Sequence, residues 1–145
     1  MSLSDWARHG WLLPHQTSRQ EISELLAVVA RDLADSQAAP LSPDWRLNIA
    51  YNAALQTATA ALAASGYRAA REAHHYRVIE SLAFTVGVAA DLVGQLDEFR
   101  KKRNIGGYER AGLVSDQEAA EMFALAERLH EDLLNWLRAK HPELL

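Results

Sequence analysis

The fold is decided by the stretch Ser42-Pro43-Asp44-Trp45-Arg46-Leu47-Asn48-Ile49-Ala50-Tyr51-Asn52-Ala53-Ala54-Leu55-Gln56-Thr57-Ala58-Thr59-Ala60-Ala61-Leu62-Ala63-Ala64-Ser65-Gly66. Serine followed by proline is a helix start. The serine side chain caps the orphaned N–H groups of the first turn, and proline is tolerated at the first helical position. Gly66 is the matching stop, and the helix runs to about Ser65. Neither glycine nor proline interrupts it. Leu47, Tyr51, Leu55, Ala58 and Leu62 recur at helical spacing and form an apolar stripe. The small alanines around them let neighbouring helices approach closely. Asn48 and Asn52, one turn apart, fit either a polar contact inside a bundle or a solvent-facing position.

Outward from this helix the chain keeps the same period. Ser18 and Glu21 have capping-box spacing and open a helix that carries Ile22, Leu25, Leu26, Val29 and Leu33 on one face and ends near Asp35. Residues 36–41 form a loop, and residues 67–73 a linker or a short helical turn. His74 and His75 open the next helix, with Val78, Ile79, Leu82 and Val86 as its stripe and a break or bend at Gly87. Residues 88–104 are helical again, with Leu92, Leu96 and Phe99 inward. Gly106-Gly107 ends that helix, and Gly112 adds another flexible point. Ser115-Asp116-Gln117-Glu118 is a second capping box, leading a helix with Met122, Leu125, Leu129, Leu133, Trp136 and Leu137 on one face and a stop at His141-Pro142. No stretch carries strand alternation or a hairpin dipeptide. The expected fold is therefore all-α, an antiparallel bundle of four to five helices. Leu55, Leu62, Ile79, Leu82, Leus 96, 129 and 133, and Phe99 form its expected core. Residues 1–16 read as a lead-in, with Ser4 capping a short helix that Gly10 stops, and with Trp6 and Trp11 docking on the body. Residues 17–145 read as one helical-bundle domain.

Composition narrows the function. The chain has 145 residues, 49% of them hydrophobic, which suits a single core rather than a disordered chain. It has no cysteine, so neither a disulfide framework nor thiolate chemistry is available. It has no apolar run of about eighteen residues and no signal-peptide layout, so no membrane span and a cytoplasmic location are expected. Net charge is −4, so any nucleic-acid binding must use a local basic patch. Adjacent histidines at 74 and 75 diverge on a helix and do not chelate, so no metal is expected. Nucleotide-phosphate loops, zinc-protease motifs and nucleophile elbows are absent.

The basic patch is Asp97-Glu98-Phe99-Arg100-Lys101-Lys102-Arg103-Asn104-Ile105-Gly106-Gly107-Tyr108. Cations suit a helix C-terminus. Lys101 and Lys102 also follow Asp97 and Glu98 by four residues. Arg103 differs: it follows Phe99, Leu96 and Leu92 by helical steps and so continues the buried face. A cation there needs a partner, which can be a carboxylate such as Asp97 or Glu80, a neighbouring subunit, or a phosphate.

Two features together resemble the HEPN family of helical-bundle domains. One is the alanine-rich helix, Ala50 to Leu62, followed by Gly66 and His74-His75. The other is Arg103-Asn104-Ile105-Gly106-Gly107-Tyr108, which is similar to that family's arginine, polar residue, spacer and histidine motif. The resemblance spans about residues 20–140. It implies an RNA-acting protein, a metal-independent ribonuclease or toxin relative that uses no cofactor. In that reading Arg103 holds a phosphate, Asn104 orients it and Tyr108 takes the acid/base position, with Arg100 and Arg110 adding positive charge. The family's histidine is replaced by Tyr108, whose ordinary pKa of about 10 suits proton transfer less well. The resemblance equally implies a non-catalytic dimeric module that binds a nucleotide or a protein partner such as a nucleotidyltransferase. A homodimer is expected on both readings, bringing two copies of Arg100, Arg103 and Arg110 to one cleft. A helical scaffold with Arg103 paired to a carboxylate is the third possibility.

Overall fold

A computed structural model describes residues 1–106 and 114–145, the side chains of residues 104–106 excepted. Among the described residues the chain forms six α-helices and one short two-stranded sheet. The order is α1 (Leu3–Arg8), β1 (Leu12–Pro14), α2 (Arg19–Asp35), α3 (Pro43–Ala64), β2 (Tyr67–Ala69), α4 (His74–Glu80), α5 (Ala90–Gly106) and α6 (Asp116–Lys140), with single 3-10 turns at Ser81–Ala83 and Pro142–Leu144. The architecture is the expected all-α bundle. None of the described helices is long and apolar enough to cross a membrane.

α3 is the axis of the bundle, with α2 and α6 its principal neighbours. Ser42 caps it by accepting from the Trp45 N–H, and Gly66 ends it at φ +94°, a conformation that side chains disfavour. Apart from Asn52, Gln56 and Thr59, every residue from Ala50 to Ala63 is buried. These three exceptions fall on one narrow helical line. The stripe foreseen from spacing is thus only part of what α3 buries, and its alanines admit neighbours on nearly all sides. Asn52 lies on the boundary, half-buried: its Nδ2 donates to Asp32 Oδ2 on α2 at 2.6 Å. Each of the eight residues expected in the core is buried.

Several expectations need correction. The chain does contain strands: β1 and β2 pair antiparallel, Leu12 opposite Ala69 and Pro14 opposite Tyr67. Three residues per strand are too few to show alternation, and the pairing joins segments distant in sequence. Residues 67–69, read as linker or helical turn, are β2. The cap of α1 is Ser2 rather than Ser4, in a capping box with Asp5. Only half of the capping box foreseen at Ser18 forms. Ser18 accepts from the Glu21 N–H, while the Glu21 carboxylate turns away to His15 and Thr17. The box at Ser115 and Glu118 is complete. α4 ends at Glu80, not at Gly87, and its last apolar residues continue through a 3-10 turn. On α5 Leu92 packs half-buried against the core as expected, and Val93, which was not expected there, is buried. As expected, Trp6 and Trp11 of residues 1–16 dock on the body, and Leu12 joins them in the core. The expected glycine stop beyond Gly106 and the flexible point at Gly112 lie outside the described residues.

Candidate functional site

Arg103 stands on the last turn of α5, one helical step beyond the buried Phe99, and is itself half-buried. Its guanidinium carbon lies 5.1 Å from the centre of the Tyr51 ring on α3. This is a cation over an aromatic face, and it satisfies part of the cost of burying the charge. Among the described residues no carboxylate is within ion-pair distance of Arg103. Asp97, which with Glu80 was one of the carboxylates open to it, instead accepts from Arg100 Nε at 2.7 Å and also meets Lys101 Nζ at 3.6 Å. Lys102 leaves its own helix and pairs with Glu118 of α6 at 2.6 Å. The ordinary ion-pair reading therefore holds for Arg100, Lys101 and Lys102 and fails for Arg103.

Tyr51 links the arginine to a histidine. Its hydroxyl is 3.3 Å from Nδ1 of His75, on the first turn of α4. Burial pushes the Tyr51 phenol up to about 12, against the pull of Arg103 and Arg100. It therefore keeps its proton, and its hydroxyl shares one hydrogen bond with the imidazole. The His75 pKa is lowered, first by burial and then by Arg103, His74 and Arg100. The imidazole is therefore neutral near pH 7 and carries a single proton on its ring. The arrangement is a guanidinium, a protonated phenol and a neutral imidazole, contributed by α5, α3 and α4. Arg100 extends it outward, with its guanidinium 5.7 Å from the exposed Tyr76 ring. Burial and the nearby Asp97 raise the Glu80 pKa on the same side of the bundle, though Arg100 and Arg77 oppose them.

The start of α4 is held by aromatic contacts with the N-terminal segment. The Arg77 guanidinium stacks 3.6 Å from the Trp11 ring centre and 5.7 Å from that of Trp6. Trp6 in turn meets Phe84 edge-on. Residues 1–16 therefore help to fix the helix that presents His75.

Of the residues singled out from sequence, the structure brings Arg100 and Arg103 to this corner. The Asn104 side chain, Tyr108 and Arg110 lie outside the described residues. Tyr51 and His75 were not picked as site residues from chemistry. Tyr51 read as a core stripe position, and His75 was weighed as a metal ligand. The usable signal was the hydroxyl of Tyr51, since a tyrosine on a buried stripe must find a hydrogen-bond partner. Among the described residues no group of three or more histidines and carboxylates is placed to hold a metal ion. With this geometry in view, comparison with family models, curated proteins and solved structures finds no match for the chain.

Proposed function

We propose that the chain is a HEPN-like protein that binds RNA at the corner formed by Arg103, Arg100, Tyr51 and His75, and that it works there as a metal-independent ribonuclease or a relative of one. One observation carries this reading. Arg103 is a half-buried guanidinium with no carboxylate beside it among the described residues, while every other cation of its helix turn has one. A planar fork of donors in that position fits a phosphate. The neutral His75 beside it is suited to accept or relay a proton near neutral pH. Tyr51 and His75, from the first stretch of the resemblance, lie beside Arg103, which opens the second. In this reading Asn104 and Tyr108 complete the site, Arg110 adds charge, and two copies of the chain share one cleft.

The second reading, a non-catalytic dimeric module for a nucleotide or for a protein partner such as a nucleotidyltransferase, is favoured by Tyr108 at the position where the family places histidine.

The test is binding and cleavage of a short single-stranded RNA in the presence of a metal chelator. Wild-type affinity should fall steeply with salt, because each neutralised phosphate releases counterions. Arg103→Ala should abolish binding, and Arg103→Lys should restore little of it. Cleavage lost in His75→Ala and Tyr108→Phe supports the ribonuclease. Binding without cleavage, unchanged in Tyr108→Phe, supports the module. No binding even at low salt, with Arg103→Ala unfolding the chain, overturns both. Light scattering at micromolar concentration checks the dimer.

A further inference from the structure

From the arginine corner a strip of rings and guanidinium groups runs across α4 to the N-terminal segment. Arg100 lies one helical turn before Arg103 on α5, about 4.5 Å along the axis. Its guanidinium carbon is 5.7 Å from the centre of the Tyr76 ring. Arg77 stands 5.5 Å from the same centre and stacks on Trp11 at 3.6 Å. His9 also stacks on Trp11, with ring centres 4.7 Å apart and planes at 27°. Cations and rings therefore alternate from Arg100 through Tyr76, Arg77 and Trp11 to His9. The order follows from the sequence. His75 and Tyr76 are consecutive on α4, so the residue that meets the Tyr51 hydroxyl and the one that meets Arg100 stand side by side.

Packing explains most of this strip but not Tyr76. α4 buries Val78 and Ile79, and the stack of Arg77 on Trp11 braces the helix against the N-terminal segment. Trp11 is occupied by Arg77 and His9, whereas Tyr76 is 37% exposed. An exposed aromatic ring beside cations is the form of a stacking platform for a nucleobase, the ring taking the base and the cations the phosphates next to it. The charge on this side of the bundle has the matching sign. Among the described residues, Arg77, Arg100 and Arg103 are set against Asp97 and Glu80, on a chain whose net charge is −4. Asp97 accepts from Arg100 Nε at 2.7 Å, and the guanidinium carries further donors on its terminal nitrogens.

We propose that Tyr76 is a base-stacking residue and that it makes the arginine corner a site for unpaired RNA. A nucleotide whose phosphate lies on Arg103 and Arg100 lays its base on the Tyr76 ring. A base inside a duplex is already paired and stacked, and reaches such a ring only by leaving its partner. The inference rests on the RNA reading and adds to it the substrate class, single strand rather than duplex.

The experiment measures binding of three labelled probes to the full chain at low salt. They are an oligouridylate of about eight nucleotides, an abasic ribose-phosphate oligomer of the same length, and a blunt RNA duplex, all 2′-O-methylated so that none is cleaved. The wild type should bind the oligouridylate about tenfold more tightly than the abasic oligomer, because stacking adds to the phosphate contacts that both offer. The duplex should bind no better than the abasic oligomer. Tyr76→Ala should weaken the oligouridylate about tenfold and leave the abasic oligomer unchanged. Tyr76→Phe, which keeps the ring, should retain wild-type affinity for both. Arg103→Ala should abolish binding of both single-stranded probes alike. Three results overturn the stacking proposal and leave the RNA reading standing: equal wild-type affinity for oligouridylate and abasic oligomer, a duplex bound as tightly as the oligouridylate, or a Tyr76→Ala variant that weakens both single-stranded probes alike or neither. No binding of any probe overturns both.

Discussion

α3 and the C-terminal turn of α5 lie against each other and follow opposite rules. α3 is enclosed on nearly every side, and its few polar groups are matched inside the bundle: Asn52 meets Asp32, Thr57 returns its hydroxyl to the Ala53 carbonyl, and Tyr51 meets His75. Packing and hydrogen bonding account for these positions. The last turn of α5 starts on the same terms, with Leu96 and Phe99 buried, and then places Arg103 where the next core residue would stand. Only an aromatic face receives that charge among the described residues. A side chain that packing does not explain, on a helix whose preceding turns it does explain, is where a function is to be sought.

The largest effect that separates the two regions concerns stability. Leu62→Ala on α3, at 1% exposure, should cost about 2–5 kcal/mol, read as a lower urea midpoint at constant slope. Arg103→Ala should cost no more than about 1 kcal/mol, the scale of one cation over an aromatic ring. If the two variants lose comparable stability, Arg103 is a structural residue and the contrast fails.

A smaller effect tests whether the polar groups of α3 are as well matched as they look. Asp32 is 5% exposed and bonds both Asn52 Nδ2 and Arg31 Nε. Asn52→Ala removes one donor from a buried carboxylate, and the cost should be about 1–3 kcal/mol. Thermal melts showing no change would mean that Arg31 alone satisfies Asp32, and the boundary of α3 would then be looser than its middle.

How far each region could be read from sequence follows from the same contrast. The cap at Ser42, the stop at Gly66 and the stripe of α3 are local signals, and they hold. So is the spacing that put Arg103 on the buried face. The two strands were not legible, because Leu12 and Ala69 stand far apart in sequence with α2 and α3 between them. The end of α4 at Glu80 was not legible either, because Val78, Ile79 and Leu82 keep helical spacing into the 3-10 turn. At the candidate site, the approach of Arg103 to Tyr51 rather than to a carboxylate is decided by which face of α5 turns towards α3. The meeting of Tyr51 with His75 depends on how α4 lies across α3. Both are consequences of tertiary packing that a single sequence does not encode as a motif.

The smallest effect is electrostatic and tests whether the arginines of α5 bear on the histidine of α4. The folded pKa of His75 is lowered by burial first, then by Arg103, His74 and Arg100. The unfolded chain takes that proton near its ordinary value of about 6.5, whereas the folded chain takes it only at lower pH. Over that interval the unfolded state binds more protons. Stability should therefore decline as pH falls below about 6.5 and should level off once the folded imidazole is also protonated. His130, lowered by burial with Glu131 opposing, adds a contribution of the same sign, so the melting temperature alone does not separate the two. Glu21 and Glu118, both lowered, lose their contributions only in the carboxylate range, further into acid. The decisive measurement is an NMR titration of the His75 ring protons. In the wild type they should titrate below about 6.5, and in Arg103→Ala the midpoint should move upward towards that value. The fall in melting temperature from about pH 7.5 to about pH 5.5 should shrink in His75→Gln, which cannot take the proton. A His75 midpoint that Arg103→Ala does not move would mean that burial alone sets it, and that the guanidinium and the imidazole are neighbours without being coupled.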